Sequence, residues 1–170
     1  MHEILFRGQT RRYGEKVRMG DGAKVPSNWV YGGVLQGKGS HSIIYGGGNE
    51  NDPSEGLNKW CVYTDTLGQF TGLTDKNGKK IFEGDILQYS IEEDQAVFVG
   101  AVEFGEFNPA GGALINTNVG FYVEMVDQEG KRTYMRKDIG FWVKFRQVEV
   151  IGNIHDNPEL LETPKEARDE

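Results

Sequence analysis

Three histidines, His2, His41 and His155, and a single cysteine, Cys61, are the first residues to test for metal or nucleophilic chemistry. Zinc sites and Cys/His pairs take their ligands from short, regular spacings. No two of these four residues stand at i and i+4, and none of the histidines is near Cys61 in sequence. His2 reads as a terminal residue, His41 as a loop residue and His155 as part of a turn before a C-terminal cap. Cys61 lies in the apolar run Trp60-Cys61-Val62-Tyr63, where a buried, inert thiol is expected, because activation needs cationic neighbours that this run does not supply. One cysteine also excludes an internal disulfide and every multi-cysteine metal or redox scheme. No metal and no cofactor are expected.

Paired carboxylates come next. Glu83-Gly84-Asp85 sets two acids around a glycine, a spacing that suits a hard cation or acid/base work. The alternative is a tight turn in which Gly84 takes a conformation other residues resist and Asp85 accepts a main-chain N–H. The turn is favoured, and no catalytic residue is assigned. Gly32-Gly33-Val34-Leu35-Gln36-Gly37-Lys38-Gly39 meets the spacing of a phosphate-binding loop up to its lysine. Gly39 then replaces the hydroxyl residue that holds magnesium, and no helix is expected to follow, so this motif is rejected.

Bases interleaved with aromatics form the remaining pattern. Arg132, Tyr134, Arg136, Lys137, Trp142, Lys144 and Arg146 are the candidate surface for nucleic acid or a protein partner, since bases can stack on Tyr134 and Trp142 while the cations meet phosphates. If Phe141-Trp142-Val143-Lys144-Phe145 is a strand, Trp142, Lys144 and Arg146 share the face opposite a Phe141, Val143 and Phe145 core face. Lysine stems over an exposed tryptophan, or a subunit contact, explain the same residues.

The elements that must position these groups alternate with a period of two. Phe121, Val123 and Met125 share one face, and Val97-Phe98-Val99, Val102-Glu103-Phe104 and Val148-Glu149-Val150-Ile151 are β-branched or aromatic runs bounded by glycine or polar residues. Asp75-Lys76-Asn77-Gly78 and Asp127-Gln128-Glu129-Gly130 read as hairpin turns, and Glu92-Glu93-Asp94 as a solvated hairpin tip. Helix is nearly missing. The exception is a C-terminal turn, capped by Asn157, with Pro158 at its first position and Leu160 and Leu161 docked on the body. Residues 37–59 read as a long glycine-rich loop with little to bury apart from Ile43-Ile44-Tyr45. Residues 1–58 are therefore expected as an N-terminal β lobe, 59–161 as a β-barrel-like body and 162–170 as a polar, frayed tail.

Composition agrees with a turn-rich β protein. Glycine is 24 of 170 residues, about twice its usual share of roughly 7%. No apolar run approaches the length needed to span a membrane, and the first residues lack a secretory pattern, so a cytoplasmic address is expected. The net charge of −7 is unevenly spread: residues 81–130 hold ten carboxylates and no Lys or Arg, whereas residues 131–146 hold six bases against Asp138. Such segregation is expected to be satisfied across the fold or between copies. A net negative chain also repels phosphates unless its bases form a separate patch.

One stretch is more specific than any catalytic pattern. Gly68-Gln69-Phe70-Thr71-Gly72-Leu73, then the Asp75-Lys76-Asn77-Gly78 hairpin and the Glu83-Gly84-Asp85 turn, resemble the signature of the YopX family of phage and prophage proteins. Glu3-Ile4-Leu5-Phe6-Arg7-Gly8 with Trp29-Val30-Tyr31-Gly32, and Val150-Ile151-Gly152-Asn153-Ile154-His155-Asp156-Asn157-Pro158-Glu159-Leu160-Leu161, resemble its two ends. The resemblance implies a mainly β fold of several small coiled β-sheets, including an SH3-like barrel in the second half, in a phage-derived intracellular protein. It brings no catalytic residues.

Three functions are expected, in this order. The first is a non-enzymatic interaction or assembly protein, a homo-oligomer acting on a host or phage protein. The second is a nucleic-acid-binding accessory protein with weak affinity. The third is an enzyme using the Glu83 and Asp85 carboxylates.

Overall fold

The glycines at tight turns fix the chain's path. Gly78 has φ +83° and Gly84 φ +79°, values that cost a residue with a Cβ but not glycine. Asp75 closes the first turn: its Oδ1 accepts from the Asn77 and Lys79 N–H groups at 2.8 and 2.9 Å. Asp85 closes the second, its Oδ2 accepting from the Phe82 N–H at 2.7 Å. The Asn-Gly hairpin and the Glu-Gly-Asp turn are both as expected.

The computed structural model describes residues 4–10, 29–36, 38–46, 58–90, 97–109, 117–127 and 132–162. These residues contain eleven strands, β1 (Phe6–Gln9), β2 (Trp29–Leu35), β3 (His41–Gly46), β4 (Asn58–Tyr63), β5 (Gly68–Thr74), β6 (Lys80–Phe82), β7 (Asp85–Ser90), β8 (Val97–Phe107), β9 (Asn118–Asp127), β10 (Arg132–Asp138) and β11 (Glu149–Asn153), and one α-helix, α1 (Ile139–Arg146). They form two antiparallel sheets, ordered β4-β3-β2-β1-β5-β6 and β10-β9-β8-β7-β11. The fold is mainly β. Among the described residues no helix is long and apolar enough to cross a membrane.

The chain divides into two units, Met1–Phe70 and Thr71–Glu170, with the division inside β5. It falls later than the boundary expected between residues 58 and 59. In the first unit, alternation buries Val30, Ile44, Trp60 and Val62, and a single bridge pairs Thr10 with Val62. Gly32 lies so close to β3 that a Cβ would fall 2.0 Å from the Tyr45 carbonyl oxygen. Two expectations fail here. Ile43-Ile44-Tyr45 is not an island in a loop but the centre of β3, since Ile44 is needed in the core and His41 is the strand's first residue. Cys61 is exposed rather than buried, because Trp60 and Val62 take the inward positions on either side of it.

The second unit packs Leu87, Tyr89, Val102, Val123, Met125, Val148 and Val150 beneath Ile139 and Trp142 of α1. Val97–Phe107 is one strand, where two were expected. Gly100 does not end it but permits close pairing: a Cβ there would sit 2.5 Å from the Glu124 carbonyl oxygen. The sheet keeps β10 and β11 as separate outer strands, so no closed barrel is present among the described residues.

The largest departure is α1. Phe141-Trp142-Val143-Lys144-Phe145 is helical where a strand was expected. Asp138 is its N-cap, accepting from the Phe141 N–H at 2.9 Å, and Lys144 and Arg146 complement the partial negative charge of the last turn. Gln147 then ends the helix in the left-handed region at φ +49°. The helix brings Ile139 and Trp142, three apart, onto one buried face. At the C-terminus, Pro158–Leu161 forms the expected single turn, of 3-10 type, but the Asn157 side chain does not cap it. The turn at Asp127-Gln128-Glu129-Gly130 and the tip at Glu92-Glu93-Asp94 fall largely or wholly outside the described residues, as do His2 and residues 163–170.

Candidate functional site

The seven expected surface residues do not form one patch. Arg132 and Tyr134 belong to β10 by backbone, but their side chains lie outside the described residues. Arg136 is committed to its cross-strand neighbour: its Nε lies 2.6 Å from Glu124 Oε2, and this hydrogen bond and charge hold the guanidinium's pKa above its usual value. The same strand face carries Tyr122, whose hydroxyl donates a hydrogen bond to Glu103 across the β8–β9 ladder. That bond, reinforced by burial, pushes the Tyr122 phenol up to about 12. Base and acid segments thus meet within the fold at Arg136 and Glu124. Lys137 donates from Nζ to the Pro109 carbonyl at 2.7 Å.

Trp142 contradicts the expectation most directly. It is fully buried and its Nε1 donates to the Val123 carbonyl at 3.2 Å, so it cannot stack a ligand. Helical rotation explains the exchange: a 100° step per residue turns Trp142 inward and leaves Lys144, Phe145 and Arg146 exposed. The missed aromatics are Phe141 and Phe145. They stand at i and i+4 with ring centroids 5.4 Å apart, and Phe145 is 59% exposed. A helical period beginning at Asp138, a good N-cap residue, was the signal that pointed to them.

Around these rings the cations gather. Lys144 Nζ is 5.3 Å from the Phe145 centroid, Lys137 Nζ is 5.8 Å from Phe141, and the Arg146 guanidinium lies 5.9 Å from both Phe141 and Tyr89. Tyr89 stacks on Phe98 at 4.8 Å and lies 5.2 Å from Trp142; burial raises its phenol pKa, against the opposing pull of Arg146. Neither Lys144 nor Arg146 forms an ion pair among the described residues. The surface can therefore hold an anionic group beside an apolar or aromatic one.

The carboxylates converge differently. Asp75 and Asp85 are almost completely buried and spend their oxygens on main-chain N–H groups: Asp75 Oδ2 also accepts from Val150 at 3.0 Å. Gly84, between Glu83 and Asp85, donates to the Val102 carbonyl and accepts from Ile154. Among the described residues no three His, Cys, Asp or Glu side chains are grouped so as to hold a metal ion. His41 Nδ1 lies 2.9 Å from Ser40 Oγ and its ring packs beside Tyr63 at 5.4 Å, while Cys61 faces Ile43 in the β3–β4 register. His155 sits exposed in the turn before the last helical segment, as expected.

The turns at Asp75 and Glu83, the β11 strand and the closing 3-10 turn fall in one continuous span, residues 26–162, that matches the model of the YopX protein family. The chain belongs to the YopX family. The match takes in the signature and the C-terminal segment of the resemblance but not Glu3-Ile4-Leu5-Phe6-Arg7-Gly8. No curated protein matches this YopX chain. Among solved structures it is similar to protein EF1440 from Enterococcus faecalis, with 21% identity over 95% of this chain and 100% of that one, at a TM-score of 0.46.

Proposed function

We propose that this YopX-family chain is a phage- or prophage-encoded protein of the bacterial cytoplasm that acts without catalysis, by self-association and by binding another protein. The observation that carries the reading is the α1 surface, where two cations without ion pairs among the described residues stand beside an exposed phenylalanine. Buried acids engaged by the main chain suit a scaffold, and Glu83 with Asp85 is a turn rather than a catalytic pair on this reading. The second unit is taken as SH3-like: β11 pairs beside β7, the next strands follow in sequence to β10, and a short helix precedes the final strand. Light scattering across a salt series tests the assembly. Association that weakens as salt rises is expected, because exposed charges are screened; a monomer at every ionic strength and at high concentration overturns it.

A second reading, a nucleic-acid-binding accessory protein, draws on the same helix. Phe141 and Phe145 offer rings, and Lys144 and Arg146 offer charge, in the combination that single strands use.

A further inference from the structure

Beyond the core of the second unit, β8 and β9 continue as a two-stranded arm. Phe104 pairs with Phe121 and Glu106 with Val119, so by alternation these four share one face. That face begins as core at Val102 and Val123 and ends in solvent, with Phe104 55% and Val119 74% exposed. Phe104 leans edge-on against Phe121 at 5.1 Å. Glu106 is exposed beside them and forms no ion pair among the described residues. The arm is thus an apolar patch with an unneutralised acid, set in a segment of ten carboxylates and no bases.

The exposed side of α1 is its counterpart, an apolar ring at Phe145 with the unneutralised bases Lys144 and Arg146. Within one copy neither covers the other, since Phe104 and Phe145 are both more than half exposed. We infer that the β8–β9 arm of one copy docks on the α1 face of a second copy, Phe104 and Val119 against Phe145, and Glu106 against Lys144 and Arg146. This rests on the self-association reading above and names its contact. Burying the rings removes apolar area from water, while the opposite charges fix the register and disfavour arm against arm or helix against helix. A two-fold pair satisfies the contact twice; a one-way contact builds rings or fibres.

The test is a charge exchange followed by sedimentation and light scattering at low salt. All three charged positions are exposed, so Glu106→Lys is expected to keep the wild-type denaturation midpoint and Lys144→Glu with Arg146→Glu, which loses the charge complement of the last turn of α1, to lower it while staying folded; both midpoints are measured alongside. Glu106→Lys alone, and Lys144→Glu with Arg146→Glu, are each expected to weaken association by about tenfold or more. Mixing the two variants restores it, because each supplies the surface the other lacks. If both variants associate like the wild type, or if the mixture fails to recover, the contact is wrong although the self-association reading stands. A wild type that stays monomeric overturns both. Binding of a single-stranded oligonucleotide that the Lys144 and Arg146 changes abolish, with assembly untouched, assigns the helix face to nucleic acid and overturns the contact.

Discussion

Asp75 is a single side chain that ties together two parts of the second unit. Its Oδ1 gathers the turn of its own hairpin and its Oδ2 takes the Val150 N–H from β11. Truncation to alanine strips acceptors from the Val150 N–H and from the turn at a nearly buried position, and each buried donor left unpaired costs about 1–3 kcal/mol. Asp75→Ala is therefore expected to lower stability by roughly 3 kcal/mol or more, read as a lower denaturant midpoint. Tyr122 offers a pH signature. Its hydroxyl is the form that bonds Glu103, so the folded-state pKa lies near 12 against an ordinary 10.0. The stabilisation is whole below pH 10 and is lost as pH rises towards 12. A Tyr122→Phe protein should show a flatter decline of stability across that alkaline window, followed by urea unfolding at several pH values; equal slopes would remove the phenol from the account.

At the scale of elements, α1 separates two aromatics that look alike in sequence. Trp142 fills the core and Phe145 faces solvent. Trp142→Ala is expected to cost about 3–5 kcal/mol, as for a large buried side chain, whereas Phe145→Ala is expected to stay within about 0.5 kcal/mol, as for a surface change; thermal unfolding of both decides it. A strand in this place would reverse the order. The hairpin at Asp75-Lys76-Asn77-Gly78 and the turn at Glu83-Gly84-Asp85 were legible because local chemistry determines them: a positive φ needs glycine, and a short acid satisfies nearby N–H groups. The helix was not, because Phe141-Trp142-Val143-Lys144-Phe145 is aromatic and β-branched and alternates like a strand. Its identity is decided by the Asp138 cap and by the Val123 carbonyl that receives Trp142, the second of which no neighbour in sequence announces. Cys61 and His41 were misplaced for a related reason. Which face of β4 points inward is set by Ile44 and Val62 meeting across the first unit's core, not by the run Trp60-Cys61-Val62-Tyr63 itself.

For the whole molecule, charge decides how the candidate surface ranks its ligands. Residues 81–130 carry ten acids and residues 131–146 six bases, but the fold has already placed Arg136 on Glu124 and Lys137 on a carbonyl oxygen. Of the bases in residues 131–146 with described side chains, Lys144 and Arg146 are left to meet phosphates. Two contacts make log K fall with log salt at a slope of about −1.4, at roughly 0.7 per phosphate for a single strand. A protein of net charge −7 adds its own repulsion. Single-stranded DNA and RNA are accordingly expected to bind weakly at low salt, with no tight complex at physiological salt. What binding occurs should depend on Phe145, Lys144 and Arg146, since Trp142 is enclosed. Fluorescence titration of labelled oligonucleotides against wild type and Phe145→Ala at two salt concentrations measures both points. Sub-micromolar affinity at physiological salt, lost in Phe145→Ala and accompanied by a steep salt slope, would rank nucleic acid above a protein partner at this helix.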